Sequence, residues 1–157
     1  MLIPPINFSL VVGKIYRSGH PIELNYPFLE TLGLRTIVYV GDRTEEENRE
    51  YIAWAGSLGI EYIHFEMASV KEPFILNDGV PIAGCLEVLC DPSKYPLLIH
   101  SNKGKHRVGV TVGALRKTQD WALTSIYREY LQFAKGKADA DMVFIEQFVV
   151  QQPGPDW

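Results

Sequence analysis

The chain has 157 residues, enough for one domain with a buried core. Apolar residues make up 46% and charged residues 22%, the balance of an ordinary soluble globular protein, and no apolar run is long enough to cross a membrane. The net charge of −4 gives no reason to expect nucleic-acid binding, and Met1 to Leu10 lacks a basic segment leading into an apolar stretch, so no signal peptide is read and the cytoplasm, with the nucleus as a second possibility, is the expected location.

In chain order, Leu10 to Val12 and Ile15 to Arg17 read as two short strands around a turn at Gly13-Lys14. Asn25 to Leu32 is a short helix stopped by Gly33, and Thr36 to Val40 is a continuous β-branched and aromatic run that predicts a buried central strand. Thr44 opens a helix, with Glu47 at capping-box spacing and Tyr51, Trp54, Ala55 and Leu58 on one apolar face. Glu61 to Phe65 is a strand, and 66–77 is irregular. Asp78 to Cys90 is helical, with Asp78 placed to cap it. Cys85 and Cys90, the only cysteines, are poorly spaced for a bridge on that helix and read as buried free thiols. With no Cys/His cluster at ligand spacing, no metal and no cofactor is expected.

Pro96 to His100 is a buried strand and 107–118 a helix. Two more helices follow, one around Leu123, Ile126, Tyr127, Tyr130 and Leu131, the other around Met142, Ile145, Phe148 and Val149. Alternating strands and helices predict a single α/β domain over 1–150, a mainly parallel central sheet flanked by helices, with 151–157 as a Pro/Gly tail. A monomer is the expected state.

Charge is uneven. Lys103, Lys105, His106 and Arg107 fall within five positions with no acid between Ser93 and Gln119, whereas Asp42, Glu45, Glu46, Glu47 and Glu50 cluster elsewhere. A local basic site on an acidic chain predicts a small, highly anionic ligand. It sits in Leu98-Ile99-His100-Ser101-Asn102-Lys103-Gly104-Lys105-His106-Arg107, after an apolar strand and at a helix start. Unpaired N–H groups and the positive dipole end meet there, and a wrapped loop can aim successive amides at one phosphate. Gly104 permits the backbone shape, and the Arg107 fork can grip two phosphate oxygens.

With cysteine at 101 this would be the His-Cys-x5-Arg signature of the protein tyrosine phosphatase superfamily. Residues 99–107 resemble the loop of the plant and fungal atypical dual-specificity phosphatases, which include the inositol pyrophosphate phosphatases. Further matches are Ile15-Tyr16-Arg17-Ser18-Gly19, Lys71-Glu72-Pro73-Phe74, Arg116-Lys117 and Glu129-Tyr130 with Phe133-Ala134, so the resemblance spans about 7–148. It implies the protein tyrosine phosphatase fold and a metal-independent hydrolysis through a phosphocysteine. There are two departures: Ser101 stands at the nucleophile position, and Val108 replaces the hydroxyl residue that usually follows the arginine.

The family nucleophile is a thiolate, made accessible by a helix N-terminus and nearby cations, and a serine hydroxyl is far harder to ionise. Phosphate binding without turnover is therefore expected of Ser101. A cysteine-to-serine substrate trap fits the intact phosphate-gripping set. A natural pseudophosphatase, acting as sensor or scaffold, fits Val108.

As the resemblance implies, Arg107 and the loop amides would stabilise the transferring phosphoryl group. The candidate general acids are Glu72 and Asp78, with Glu66 a weaker third. A phosphate leaving group, with a second pKa near about 6, departs with less protonation than tyrosine, at about 10. That and the number of cations favour a diphosphoinositol polyphosphate over a phosphotyrosine. The ligand contacts are expected from Asn102, Lys103, Gly104, Lys105, His106 and Arg107, with Lys71 on the facing loop and Arg17 near the rim. A dual-specificity or tyrosine protein phosphatase is the alternative enzyme.

Overall fold

The structure is a computed structural model that describes residues 1–68, 79–135 and 139–149, with backbone only at 79 and 80. Five strands form one sheet in the order β1-β2-β5-β3-β4. They are β1 (Ser9–Val12), β2 (Ile15–Ser18), β3 (Thr36–Gly41), β4 (Glu61–Glu66) and β5 (Leu97–His100). Only the β1–β2 hairpin is antiparallel. The β2–β5, β5–β3 and β3–β4 pairs are parallel, and the register sets Ser18 and Tyr39 on either side of His100. The mainly parallel α/β sheet expected from the alternation is therefore present, and β5, its middle strand, feeds the basic loop.

Side chains on β5 alternate between two cores, because successive residues of a strand face opposite ways. Leu97 and Ile99 join Val38 and Val40 in a cluster with α3 (Gly79–Leu89), α4 (His106–Thr118), α5 (Leu123–Ala134) and α6 (Asp139–Gln147). Leu98 and Ile37 face the other way, onto Leu29, Leu34, Tyr51, Ala55 and Ile60 around α1 (Tyr26–Glu30) and α2 (Arg49–Ser57). All four β5 residues are buried, so the strand carrying the loop is clamped from both faces and both edges.

The helix expected from Thr44 begins later. Thr44 and Glu47 do make the reciprocal capping bonds. The turn they close then breaks at Asn48, whose backbone (φ −98, ψ 12) leaves the helical region while its buried amide engages His20 and Tyr62. Tertiary contacts at Asn48 override the local start signal, and α2 proper opens at Arg49. Both thiols are free, with Cys85 buried on α3 and Cys90 half-buried just past its end; burial pushes the Cys85 thiol far up. Among the described residues no helix is long and apolar enough to cross a membrane.

Candidate active site

Between β5 and α4 the chain wraps a tight loop around Ser101. Ser101 is 2% exposed, and its Oγ accepts the Gly104 N–H at 2.9 Å. Three consecutive loop carbonyls are held from outside: Asn102 O accepts His20 N–H at 3.0 Å, Lys103 O accepts Asn7 Nδ2 at 2.8 Å, and Gly104 O accepts Arg17 Nη2 at 3.3 Å. In a planar trans peptide the C=O and the next N–H point in opposite directions. Pinning those carbonyls outward therefore turns the amides of Lys103, Gly104 and Lys105 inward, toward Ser101, at the positive end of α4. That is the geometry of an anion cradle.

The loop is also seated by close approach. Gly104 has φ +75, and a Cβ there would lie 2.6 Å from Gly19 N and 2.7 Å from the Ser18 carbonyl carbon. A Cβ at Gly19 would lie 2.5 Å from Ile6 and 3.0 Å from the Lys103 backbone. The Ile15 to Gly19 segment is thus the wall against which the loop is built.

Arg17 is not at the rim. It is 2% exposed beneath the loop, its guanidinium stacked 3.9 Å from the Phe133 centroid, and burial lowers its pKa to about 10. The expected ligand contact is thereby corrected: Arg17 points at the loop's outer carbonyls, because its place on a buried strand puts it under the turn. Among the described residues its buried Nε has no hydrogen-bond partner.

Arg107, on the first turn of α4, is largely buried, and its Nη1 donates to Asp42 Oδ1 at 3.1 Å and to Met67 O at 3.2 Å. Asn102 turns toward β3, accepting the Tyr39 hydroxyl at 2.6 Å and reaching Asp42 Oδ1 at 3.4 Å. Lys103 is exposed and Lys105 half-buried. His106 is exposed on one side, while its Nδ1 meets the Tyr130 hydroxyl at 2.9 Å. That hydroxyl donates to the Asp141 carboxylate, so its oxygen is left to accept, and the His106 proton sits on Nδ1.

His100 is fully buried. Its Nδ1 faces the Ser101 carbonyl at 3.1 Å and its Nε2 the Tyr51 hydroxyl at 3.0 Å. A carbonyl only accepts, so Nδ1 carries the proton and Tyr51 donates to Nε2. Burial, with His20 beside it, holds the His100 pKa well below the usual value. The ring is neutral, and both nitrogens are committed elsewhere than Ser101 Oγ.

The structure thus brings Ser101, Asn102, Lys103, Gly104, Lys105, His106 and Arg107 into one loop. The other expected residues Lys71, Glu72 and Asp78 lie outside the described residues. Glu66 ends β4 opposite Gly41, one residue from Asp42. Asp91 caps the turn before β5, at the strand end away from the loop. The sequence reading missed Asp42, Tyr39, Asn7, His20 and Tyr130. For Asp42 a signal existed, since it follows β3 directly, at the strand end where ligands of parallel sheets bind. Among the described residues no group of three His, Cys, Asp or Glu side chains is placed to hold a metal ion.

Residues 2–155 match the tyrosine phosphatase family Y_phosphatase2. The chain belongs to this family. Inositol diphosphatase DSP4 of Arabidopsis thaliana is 41% identical over 150 residues, covering 94% of this chain and 74% of that protein. Inositol diphosphatase SIW14 of Saccharomyces cerevisiae is 42% identical over 94% of this chain, which spans about half (52%) of that longer protein. The Siw14 catalytic core superposes with a TM-score of 0.89 at 41% identity, over 95% of this chain and 88% of that one. The tyrosine-protein phosphatase-like protein OCA2 of the same yeast is 43% identical over 93% of this chain and 75% of its own length. The phosphatase-like fold expected from the loop and its surroundings is the fold observed.

Proposed function

We propose that this chain recognises diphosphoinositol polyphosphates at the 101–107 loop and, with serine at 101, holds them without hydrolysis. The observation that carries the reading is the loop itself: outward-pinned carbonyls, inward amides around Ser101, Arg107 at the end, and Lys103, Lys105 and His106 around them. Support comes also from relatives named inositol diphosphatases at about 40% identity.

With cysteine at 101 the same site would be a metal-independent phosphatase. The thiolate would attack the β-phosphorus in line and form the S–P bond as the bridging P–O bond breaks. The loop amides and Arg107 would take up the charge building on the equatorial oxygens, and water would then cleave the phosphocysteine. Serine stops this at the first step. Its hydroxyl is not ionised at neutral pH, and His100, the adjacent imidazole, has both nitrogens bonded to other groups. The substrate-trapping reading follows from retention of every phosphate-gripping group beside that block.

A second reading, a natural pseudophosphatase that senses or scaffolds, is favoured by Val108, which stands fully buried where the family resemblance places a hydroxyl residue. The two agree on binding without turnover and differ on origin, which the genomic codon for position 101 decides.

The test is Ser101→Cys, assayed with diphosphoinositol polyphosphates beside phosphotyrosine peptides. Release of phosphate from the pyrophosphates, with little from the peptides, is expected. Equal or faster turnover of the peptides would replace this reading with a protein phosphatase.

A further inference from the structure

Arg107 is the one side chain of the loop able to grip a phosphate bidentately, and a carboxylate of this chain already engages it. Asp42 Oδ1 lies 3.1 Å from Arg107 Nη1 and 3.4 Å from Asn102 Nδ2, so one oxygen touches two residues of the loop. It is brought there by the turn that ends β3. Tyr39 folds its hydroxyl back to accept the Arg43 N–H at 3.0 Å while donating to Asn102, and Gly41 leaves the room, since a Cβ there would overlap the Tyr39 ring.

Two roles are open to such a carboxylate. It could orient the guanidinium, or it could compete with the ligand for it. Orientation is already supplied by an uncharged group, because the Met67 carbonyl accepts from the same Nη1 at 3.2 Å. The Asp42 contact is made by one oxygen to one nitrogen, not fork to fork, and the Asp42 side chain is 47% exposed, so the pair is weak and displaceable. What Asp42 adds is negative charge beside a site for anions. Burial alone would raise its pKa, but the Arg107 hydrogen bond and charge outweigh that and hold the carboxyl below the usual range, so it is charged at neutral pH.

We infer that Asp42 is an internal counter-ion of the phosphate loop, one that competes for Arg107 and sets the threshold of anion affinity. The inference rests on the reading of this loop as a polyphosphate site. A ligand meets Arg107 only in the fraction of molecules in which the pair is open, and its apparent affinity falls by that fraction. A bound ligand also feels the residual repulsion of a charge a few ångströms away. A single phosphate has only the amides and Arg107 to offset both effects. A ring carrying several phosphates also reaches Lys103, Lys105 and His106. Asp42 thus lowers the occupancy of simple phosphates and leaves the site to polyphosphates.

The experiment is calorimetric titration of the Ser101 protein with inositol hexakisphosphate and with inorganic phosphate, at neutral pH and at low and high ionic strength, beside Asp42→Asn and Asp42→Ala. Thermal melting confirms that each variant is folded. Asn keeps an accepting oxygen and removes the charge, whereas Ala removes both. The inference expects both variants to bind both probes more tightly, by about three- to tenfold, with the gain shrinking as salt screens the charge. Unchanged affinity in Asp42→Asn with weaker binding in Asp42→Ala would make Asp42 an orienting residue and overturn the inference, while leaving the polyphosphate site in place. Binding of neither probe to any of the three proteins would overturn the site reading and the inference together.

Discussion

A Cβ built on Gly104 falls 2.6 Å from the backbone nitrogen of Gly19, so the 101–107 loop and the end of β2 are in backbone contact across 85 positions of sequence. The same contact is made from the other side, where a Cβ on Gly19 would meet the Lys103 backbone at 3.0 Å. Two glycines, each needed for the other's approach, fix the depth of the loop.

Gly104→Ala tests this. Alanine must hold a left-handed conformation and also displace backbone that cannot swing away, which costs about 1–3 kcal/mol for the conformation alone. The variant is expected to melt several degrees lower and to lose anion affinity by more than about tenfold, since the inward amides depend on that backbone path. Melting curves and titration with inositol hexakisphosphate provide the check. Unchanged binding would mean that the loop tolerates another path.

The buried histidines predict a pH dependence of stability. His100 is held well below its ordinary value near 6.5 by burial and by its neighbour His20, and His20 is lowered by its own burial. In the unfolded chain both titrate near about 6.5. Between the folded and unfolded values the unfolded state binds more protons, so the slope of unfolding free energy with pH is positive. Stability from this source is fully present above about 6.5 and is lost as pH falls below it. Thermal melting at descending pH should show a decline starting there, well before carboxylates such as Asp42 begin to protonate. A flat melting temperature from neutrality to pH about 5 would contradict the neutral, bonded His100 described above.

Tyr130 links the loop to the last helix. Its hydroxyl accepts a hydrogen bond from His106 Nδ1–H and donates one to Asp141, with burial and that carboxylate together pushing the Tyr130 pKa far up. Tyr130→Phe keeps the ring, which packs in the core, and removes both bonds. A loss of about 1–3 kcal/mol is expected, because a buried carboxylate loses a charge-assisted partner. Inositol hexakisphosphate should bind more weakly as well, since His106 is no longer held at the mouth. Equal loss of stability with unchanged binding would confine Tyr130 to a structural role.

Much of this was legible in the sequence because it is local. The 36–40 and 97–100 strands announced themselves as continuous apolar runs, and the nucleophile position, Gly104 and Arg107 fell at family spacing on one short loop. The clamp around that loop was not legible, because its members come from distant segments. Asn7, His20 and Asp42 are each unremarkable residues, and Arg17 points to a ligand, until the fold places them beside Lys103, Asn102, Arg107 and Gly104. Arg17 shows the limit most clearly. Its sequence position beside the family motif reads as a ligand contact at the rim, and only the pairing of β2 on both edges and its burial place it beneath the loop. Thr44 shows the converse, a local start signal that forms its bonds and is then overruled by the pull of His20 and Tyr62 on Asn48.

On the proposed function, Val108 should separate the two chemical steps. It is fully buried on the first turn of α4, directly after Arg107, where the family resemblance places a hydroxyl that assists departure of the thiolate from the phospho-enzyme. Ser101→Cys alone should therefore restore the first step more fully than the second. Rapid mixing is expected to show a burst of dephosphorylated inositol product of about one equivalent, followed by slow turnover as the phosphocysteine hydrolyses. Adding Val108→Thr should leave the burst rate near that of the single variant and raise the steady rate by about tenfold or more, the worth of one donor at a developing negative charge. Threonine is close to valine in shape, so the accompanying loss of stability is that of burying one hydroxyl, about 1–3 kcal/mol if it finds no other partner. A linear progress curve for Ser101→Cys, or a steady rate that Val108→Thr does not change, would show that Val108 does not limit the second step, and would remove the residue that most favours a natural pseudophosphatase.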